Sequence, residues 1–458
     1  MLSTPQAGKW GMSDGNSRSM KPPRGPVRRG RGSAPVEDAP GVPTRRAALR
    51  MLDAVLRRGE SLDQAQGMAV RGLAPPDKAL AMAIALQVLR RLPDLDTLID
   101  GAMERPLPDD AKARTVLRMA LAQSLILGTP GHAAISTVLP LLDGGPRKLA
   151  HGVFGALFRG EARLPDIPAL PVEVAERWQA QWGADMALAA AHALALRPPL
   201  DLSLREAGET ENWAQRLGGL SLAPGHVRLP ADHAPLTELP GFAEGAWWVQ
   251  DIAATLPGRL LGQGDGRAAL DLCAAPGGKT MQLAAAGWTV SAVDSSEKRL
   301  GRMGDNLSRT GLAADLVRGD LRNWSPPAPV PAVLLDAPCS ATGIFRRHPD
   351  VLHRIGPRQI EEMAALQAQL LARAADWVAP GGRLIYATCS LERAEGEDQI
   401  AAFLSARSDF VTEPPQPGEL PAGIAPTDAG HIRTLPGMLA DAGGLDGFFI
   451  ARLRRVEG

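Results

Sequence analysis

From Thr44 onward, apolar side chains recur at three- and four-residue spacing: Leu49, Leu52, Val55 and Leu56 share one face, with Thr44 placed to cap a helix start. A second such face follows Asp77, with Leu80, Ile84 and Val88. Further helical runs cover about 109 to 127, 135 to 142 and 147 to 158. The pattern predicts an all-helical domain over 44–164. Prolines at 165, 168 and 171 then mark a linker, followed by a helix containing Trp178 and Trp182 and a mixed α/β stretch to 245. From 246 to the end the texture changes to short apolar runs, AALDLC, WTVSAVD, ADLVRGD, PAVLLD and RLIYATC, separated by helical patterns. Strands alternating with helices predict a parallel, doubly wound sheet. Before the last of these strands, Met363, Leu366, Leu370, Ala374 and Trp377 form one helical stripe, which Gly381 and Gly382 are expected to end.

Composition adds constraints without naming a partner. Lys+Arg and Asp+Glu both total 50, so net charge points to no class of ligand. No apolar run reaches the roughly 18 residues that span a bilayer, and the first residues lack the apolar core of a signal peptide, so a cytoplasmic chain is expected. Residues 1–43 are rich in Gly, Pro, Ser and Arg and lack periodicity, which predicts a disordered basic tail. Lys9, Arg18, Lys21, Arg24, Arg28, Arg29 and Arg31 within it suit either an arm for phosphates or a solvated tail. Three cysteines form no disulfide framework and point to individual thiol chemistry or burial.

The positions of those cysteines are informative, because each falls at a predicted strand end: Cys273, Cys339 and Cys389. Cys273 opens the loop Ala274, Ala275, Pro276, Gly277, Gly278, Lys279, Thr280, which leads into a helix. Small residues at the carboxyl end of a strand let a ligand approach the backbone. The loop is neither a phosphate-binding P-loop, which needs glycine where Cys273 stands, nor the dinucleotide pattern G-x-G-x-x-G. Asp294 ends the second strand, where a carboxylate accepts ribose hydroxyls or caps a turn. Asp320 ends the third and suits an adenine edge. Neighbouring strand ends can also bring Cys339 and Cys389 to one pocket.

In order, DLCAAPGGKT, DAPCSATG and ATCS resemble the motifs of the RNA cytosine-5 methyltransferases, and the helical domain before them is similar to that of the RsmB (Sun) family of small-subunit ribosomal RNA enzymes. The resemblance covers about residues 44 to 458, including FRRHPDVLH and the closing DGFFIARLRR. It implies an N-terminal all-α NusB-like domain, a small RNA-binding subdomain over 165–245 and a C-terminal α/β Rossmann-like methyltransferase domain that uses S-adenosylmethionine. It implies RNA, 16S rRNA above all, as partner and substrate, with a monomeric chain and neither metal nor membrane. Cys389 then takes the role of nucleophile and Cys339 assists breakdown of the adduct; Asp336, three residues before Cys339, is placed to bind the ring nitrogen or amino group of the base. Cofactor contacts fall on Cys273 through Lys279, Asp294, Asp320 and Asp336. Arg346, Arg347 and His348, directly after the second motif, are candidates for the flanking phosphates. The chain departs from the family at PPLDLSLRE and lacks an aromatic near Ala122 and an asparagine near Gly155, whereas Gln250 and Asp251 match and suggest a support for the cofactor site.

Overall fold

The computed structural model describes residues 39–457; the basic tail up to residue 38 lies outside the described residues. Helices Val42–Arg58, Leu62–Ala69, Pro75–Arg90, Leu92–Gly101, Lys112–Leu125, Gly131–Val138 and Gly144–Arg159 pack around Met51, Leu52, Ile84, Val88, Leu95, Val116 and Met119, all fully buried. The first helix begins two residues before the expected cap, with Gly41 at its N-cap and a proline in its first turn. Thr44 therefore sits inside the helix, and its hydroxyl donates to Asp77 at 2.8 Å, pinning one helix to the start of another.

Helices Val172–Trp182 and Ala184–Ala195 follow. Trp178 is buried against Phe345, with ring centroids 5.4 Å apart, and joins a core that includes Val351, Leu352 and Leu391. The helix read from sequence as part of a linker region is thus built into the core of the last domain. A small antiparallel sheet then forms from β1 (Leu200–Leu204), β2 (His226–Leu229) and β3 (Trp247–Val249), in the order β2-β1-β3.

The main sheet holds β4 (Ala268–Leu272), β5 (Thr289–Asp294), β6 (Asp315–Arg318), β7 (Val330–Asp336), β8 (Val378–Thr388), β9 (Phe410–Thr412), β10 (Ile432–Thr434) and β11 (Phe448–Arg455). Its order is β10-β11-β8-β7-β4-β5-β6, with β9 also on β11. Strands β4 to β8 pair in parallel, as their alternation with helices requires, but β11 runs antiparallel to β8. The chain reaches β11 from β10 through a loop without a crossover helix, so these two neighbours pair antiparallel. The sheet is therefore mixed rather than wholly parallel. A second difference concerns Gly381 and Gly382. The preceding helix ends at Asp376, and both glycines lie within β8, where the register with β7 shifts. Gly381 has φ +75°, and a Cβ on Gly382 would stand 2.9 Å from the carbonyl of Pro331, so the pair forms an irregular strand start that only glycine fits.

One arginine joins the helical domain to the rest. Arg90, 9 % exposed, donates to the carbonyls of Leu194 (3.1 Å), Leu196 (3.0 Å) and Arg346 (2.6 Å). His353 meets the Leu89 carbonyl at 2.7 Å, and Asp350 accepts from the Leu62 amide at 3.3 Å. Arg90→Met leaves two buried carbonyls and one part-buried carbonyl without their donor and is expected to lower stability by about 2–4 kcal/mol in denaturant unfolding followed by tryptophan fluorescence. An unchanged midpoint contradicts the role given to Arg90.

Candidate active site

The carboxyl ends of β4, β5, β7 and β8 open on one cleft of about 480 Å³. Cys273, Cys339 and Cys389 all line it, together with Asp294, Asp320, Asp336 and a partly apolar wall that includes Val293, Leu321, Leu366 and Leu370. The parallel pair β7–β8 ends with Asp336 opposite Ala387, so the loops carrying Cys339 and Cys389 leave the sheet side by side. Their sulfurs stand 3.4 Å apart.

The two loops are fastened along their length. The Gly343 amide donates to the Cys389 carbonyl at 3.0 Å, and the Leu391 amide donates to the Thr342 hydroxyl at 3.0 Å. A Cβ on Gly343 would fall 1.9 Å from the Gly447 carbonyl and 3.0 Å from that of Cys389, so glycine is what permits this approach. The helix Val172–Trp182 braces the same loop. Glu392, 1 % exposed, accepts from Arg177 (3.0 Å), Trp178 (3.1 Å) and Gln181 (3.0 Å), and the Trp182 indole donates to the Leu391 carbonyl at 2.8 Å.

Around the thiols the electrostatics differ. A hydrogen bond to Cys389, then burial, pushes the Cys339 thiol well above its ordinary value. Burial pushes Cys273 up to about 12, with Asp336 and Asp294 adding to it. Lys279 donates to Asp336 at 2.7 Å. Burial works against the Lys279 charge, but Asp336, followed by Cys389 and Asp271, outweighs it and raises the ammonium above its ordinary value. Lys279 is thus a held cation between a carboxylate and the Cys389 side of the cleft.

The glycine loop contributes unequally. Cys273, in the left-handed region at φ +59°, and Ala275 line the cleft. Ala274 instead turns into the core with Met281 and Met303. Pro276, Gly277 and Gly278 carry the chain into the helix Gly278–Ala285. Gly277 has φ +102°, and a Cβ there would meet Met303 at 2.7 Å. Asp294, 1 % exposed, accepts from the Ala275 amide (3.2 Å), the Ser296 amide (2.8 Å) and Arg299 (2.9 Å), so it fixes the loop as well as facing the cleft. Asp320 forms a bidentate pair with Arg322, which holds its carboxyl down at about 2. Gln250 accepts from Ser203 (2.9 Å) and Trp248 (2.8 Å) and packs 3.6 Å from the Cβ position of Gly278, a direct support of the loop.

The basic triplet after Cys339 is a correction. Arg346 is 3 % exposed; it donates to Asp446 (3.1 Å), Asp251 (3.3 Å) and the Gly443 carbonyl (2.9 Å). Its guanidinium is consumed by buried acceptors and is not offered to a phosphate. Arg347 likewise contacts Asp446 (3.1 Å), Asp251 (3.2 Å) and the Pro199 carbonyl (3.0 Å). Of the three, His348 has its ring at the surface, 3.9 Å from Asp63. Asp251, expected with Gln250 as a support for the cofactor site, anchors these arginines and the Asp446 amide (3.2 Å). Sequence reading also missed Glu395, a fully buried carboxylate behind both thiols, whose only signal was an acidic residue six positions after Cys389.

A family model described as 16S rRNA methyltransferase RsmB/F matches residues 259–454, and the NusB family matches 42–143. "Ribosomal RNA small subunit methyltransferase B" of Klebsiella pneumoniae is 36 % identical over 442 residues, covering 89 % of this chain and 97 % of that protein. The chain belongs to the RsmB/F methyltransferase family. The protein of the same name from Pseudomonas syringae is 35 % identical over 90 % of this chain and 97 % of its own length. Among solved structures, PH0851 superposes with TM-score 0.69 at 23 % identity, covering 91 % of this chain and 99 % of that one. NSun6 from Pyrococcus horikoshii, solved with SFG, an analogue of S-adenosylmethionine, superposes with TM-score 0.53 at 20 % identity, covering 63 % of this chain and 99 % of that one. The RsmB/F cofactor is S-adenosylmethionine, and the cleft fits it. Asp294, Asp320 and Asp336 give the cleft polar walls, and Leu321, Leu366 and Leu370 an apolar one, the mixture that a nucleoside-bearing ligand requires. No helix among the described residues is long and apolar enough to cross a membrane.

With Cys339 and Cys273 both held as neutral thiols, iodoacetamide between about pH 7 and 9 is expected to label Cys389 first, since the thiolate is the reacting form. Peptide mapping by mass spectrometry reads the order of labelling. Cys339 reacting before Cys389 in the wild-type protein contradicts the assigned difference.

Proposed function

We propose that this chain methylates carbon 5 of a cytosine in 16S rRNA through a covalent adduct between Cys389 and carbon 6. The observation that carries the reading is the pair of sulfurs 3.4 Å apart in the cleft that also holds the glycine loop and its carboxylates. Carbon 5 of cytosine is a weak nucleophile, and addition of a thiolate to carbon 6 makes it electron-rich. S-adenosylmethionine, when bound, supplies the electrophilic methyl group. Cys389 attacks carbon 6, with the Lys279 ammonium as the nearby cation. Asp336 lies at the cleft wall, where it accepts from the base's amino group and balances charge on the adduct. Cys339 removes the carbon 5 proton. The electron pair of that C–H bond restores the ring double bond as the bond from Cys389 to carbon 6 breaks. Cys339 is a base only in its thiolate form, strong because the thiol is held high and scarce at neutral pH for the same reason; the proton it first loses goes to solvent water.

A cytosine must leave its stack for carbon 6 to be reached, so the target is single-stranded or flipped. His348, on the turn after the Cys339 loop, then meets a flanking phosphate. The competing reading, an RNA-binding assembly factor without catalysis, needs neither thiol. A reading based on nucleoside triphosphates lacks a P-loop.

With small-subunit RNA and methyl-labelled S-adenosylmethionine, mass spectrometry of digested RNA is expected to find 5-methylcytosine. Cys389→Ala is expected to abolish it. Cys339→Ala is expected to accumulate a protein–RNA adduct that survives a denaturing gel. Normal turnover by either variant sinks the two-thiol mechanism.

A further inference from the structure

Behind the two thiols stands one buried carboxylate that the chemistry above does not use. Glu395 is fully buried and absent from the lining of the cleft. Its Oε1 accepts from the Ser340 amide at 2.8 Å and from Gln367 Nε2 at 2.9 Å. Its Oε2 accepts from the hydroxyls of both Ser340 and Ser390. Those serines directly follow Cys339 and Cys389, and their own oxygens are 3.1 Å apart. The Glu395 carbonyl in turn accepts from Tyr386 (2.9 Å) and Thr388 (3.2 Å), the last residues of β8 before the nucleophile loop. Gln367 also donates to the Pro338 carbonyl at 2.9 Å, immediately before Cys339.

A carboxylate buried this completely survives only because four donors surround it, and those donors come from both cysteine loops and the long helix beneath them. Its rigid plane therefore measures one loop against the other. We propose that Glu395 is a positioning residue of the two-thiol site: by gripping the residue after each cysteine it sets the spacing between Cys339 and Cys389. The proposal rests on the two-thiol reading above and adds the group that holds the geometry. Burial raises the Glu395 carboxyl, opposed by its donors, and its charge contributes to keeping Cys339 protonated.

Spacing can be read without turnover. Phenylarsine oxide bridges two nearby thiols on one arsenic with loss of water, and peptide mapping reports the rate at which Cys339 and Cys389 are joined. Glu395→Asp keeps the charge but withdraws it by one methylene, so it no longer reaches both serines. It is expected to slow bridging and to cut kcat about a hundredfold, with KM for RNA changed no more than about threefold, the signature of misplaced groups rather than weakened binding. Glu395→Gln keeps the length, and the serine hydroxyls can rotate to accept from its amide. It is expected to retain bridging and to recover most of the lost kcat. If Glu395→Asp fails to fold, the double variant Ser340→Ala with Ser390→Ala removes the grip from the other side and is expected to slow bridging equally. Bridging at the wild-type rate in the folded Glu395→Asp protein, or in the serine double variant, overturns the proposal. Slowed bridging in a protein whose wild type transfers no methyl to cytosine leaves the positioning role standing and removes only the two-thiol reading.

Discussion

The parallel pairing of β7 with β8 is the constraint on which the site depends. Neighbouring strands lie about 4.8 Å apart, so the chains leaving their carboxyl ends start as neighbours whatever their separation in sequence. Ala387 faces Asp336 at the last pair, and the two cysteines follow within three residues on each strand. Strand β4 lies on the other side of β7 and delivers Cys273 and the glycine loop to the same rim. Three adjacent strands thus bring three thiols to one cleft. The core residues Leu334, Ile385 and Ala387 on one face of the sheet, and Val333, Leu335, Leu384 and Tyr386 on the other, are all buried, which locks the register that this convergence needs.

Loops leaving such a rim have no ladder to hold them, and here arginines replace it. Arg90 gathers three carbonyls from two other segments, and Arg346 and Arg347 fasten the turn after Cys339 to Asp251 and Asp446. Arg228 joins Asp201 (2.6 Å) to the carbonyls of Ala442 and Gly444 (both 2.7 Å), and Arg433 pairs with Glu397 (2.7 Å) and reaches the Ser390 carbonyl. A planar guanidinium with five donors can hold several acceptors at fixed angles, which an ammonium cannot. Breaking one side of such a buried pair leaves an uncompensated charge, so these contacts specify loop geometry more than they add stability.

This internal use of charge explains where sequence reading succeeded and where it stopped. Strand-and-helix alternation was plain from period and turn residues, and the glycine loop and three strand-end cysteines were visible because small residues and thiols are rare in such company. Arg346 looked like a surface base because side-chain type says nothing of burial when the acceptors, Asp251 and Asp446, lie about a hundred residues away on either side. Glu395 was invisible for the same reason: its partners Ser340 and Gln367 are brought to it by folding, 55 and 28 residues off in sequence. The glycine pair at 381 and 382 was misread because glycine ends helices and opens irregular strands with equal ease, and only the register shift against β7 distinguishes them.

Two identical side chains at one cleft are of little chemical use unless their surroundings make them unlike. Cys339 is hydrogen-bonded to the other sulfur and partly buried, with the Glu395 carboxylate behind it; each of these favours the neutral thiol. Cys389 lies toward Lys279, whose ammonium is itself kept charged by Asp336 although buried. The asymmetry therefore does not reside in either loop alone. Cys339 owes its raised value first to the hydrogen bond with Cys389 and to burial, and after these to charge, Glu395 included. The surroundings of each sulfur, rather than the presence of two cysteines, distinguish them.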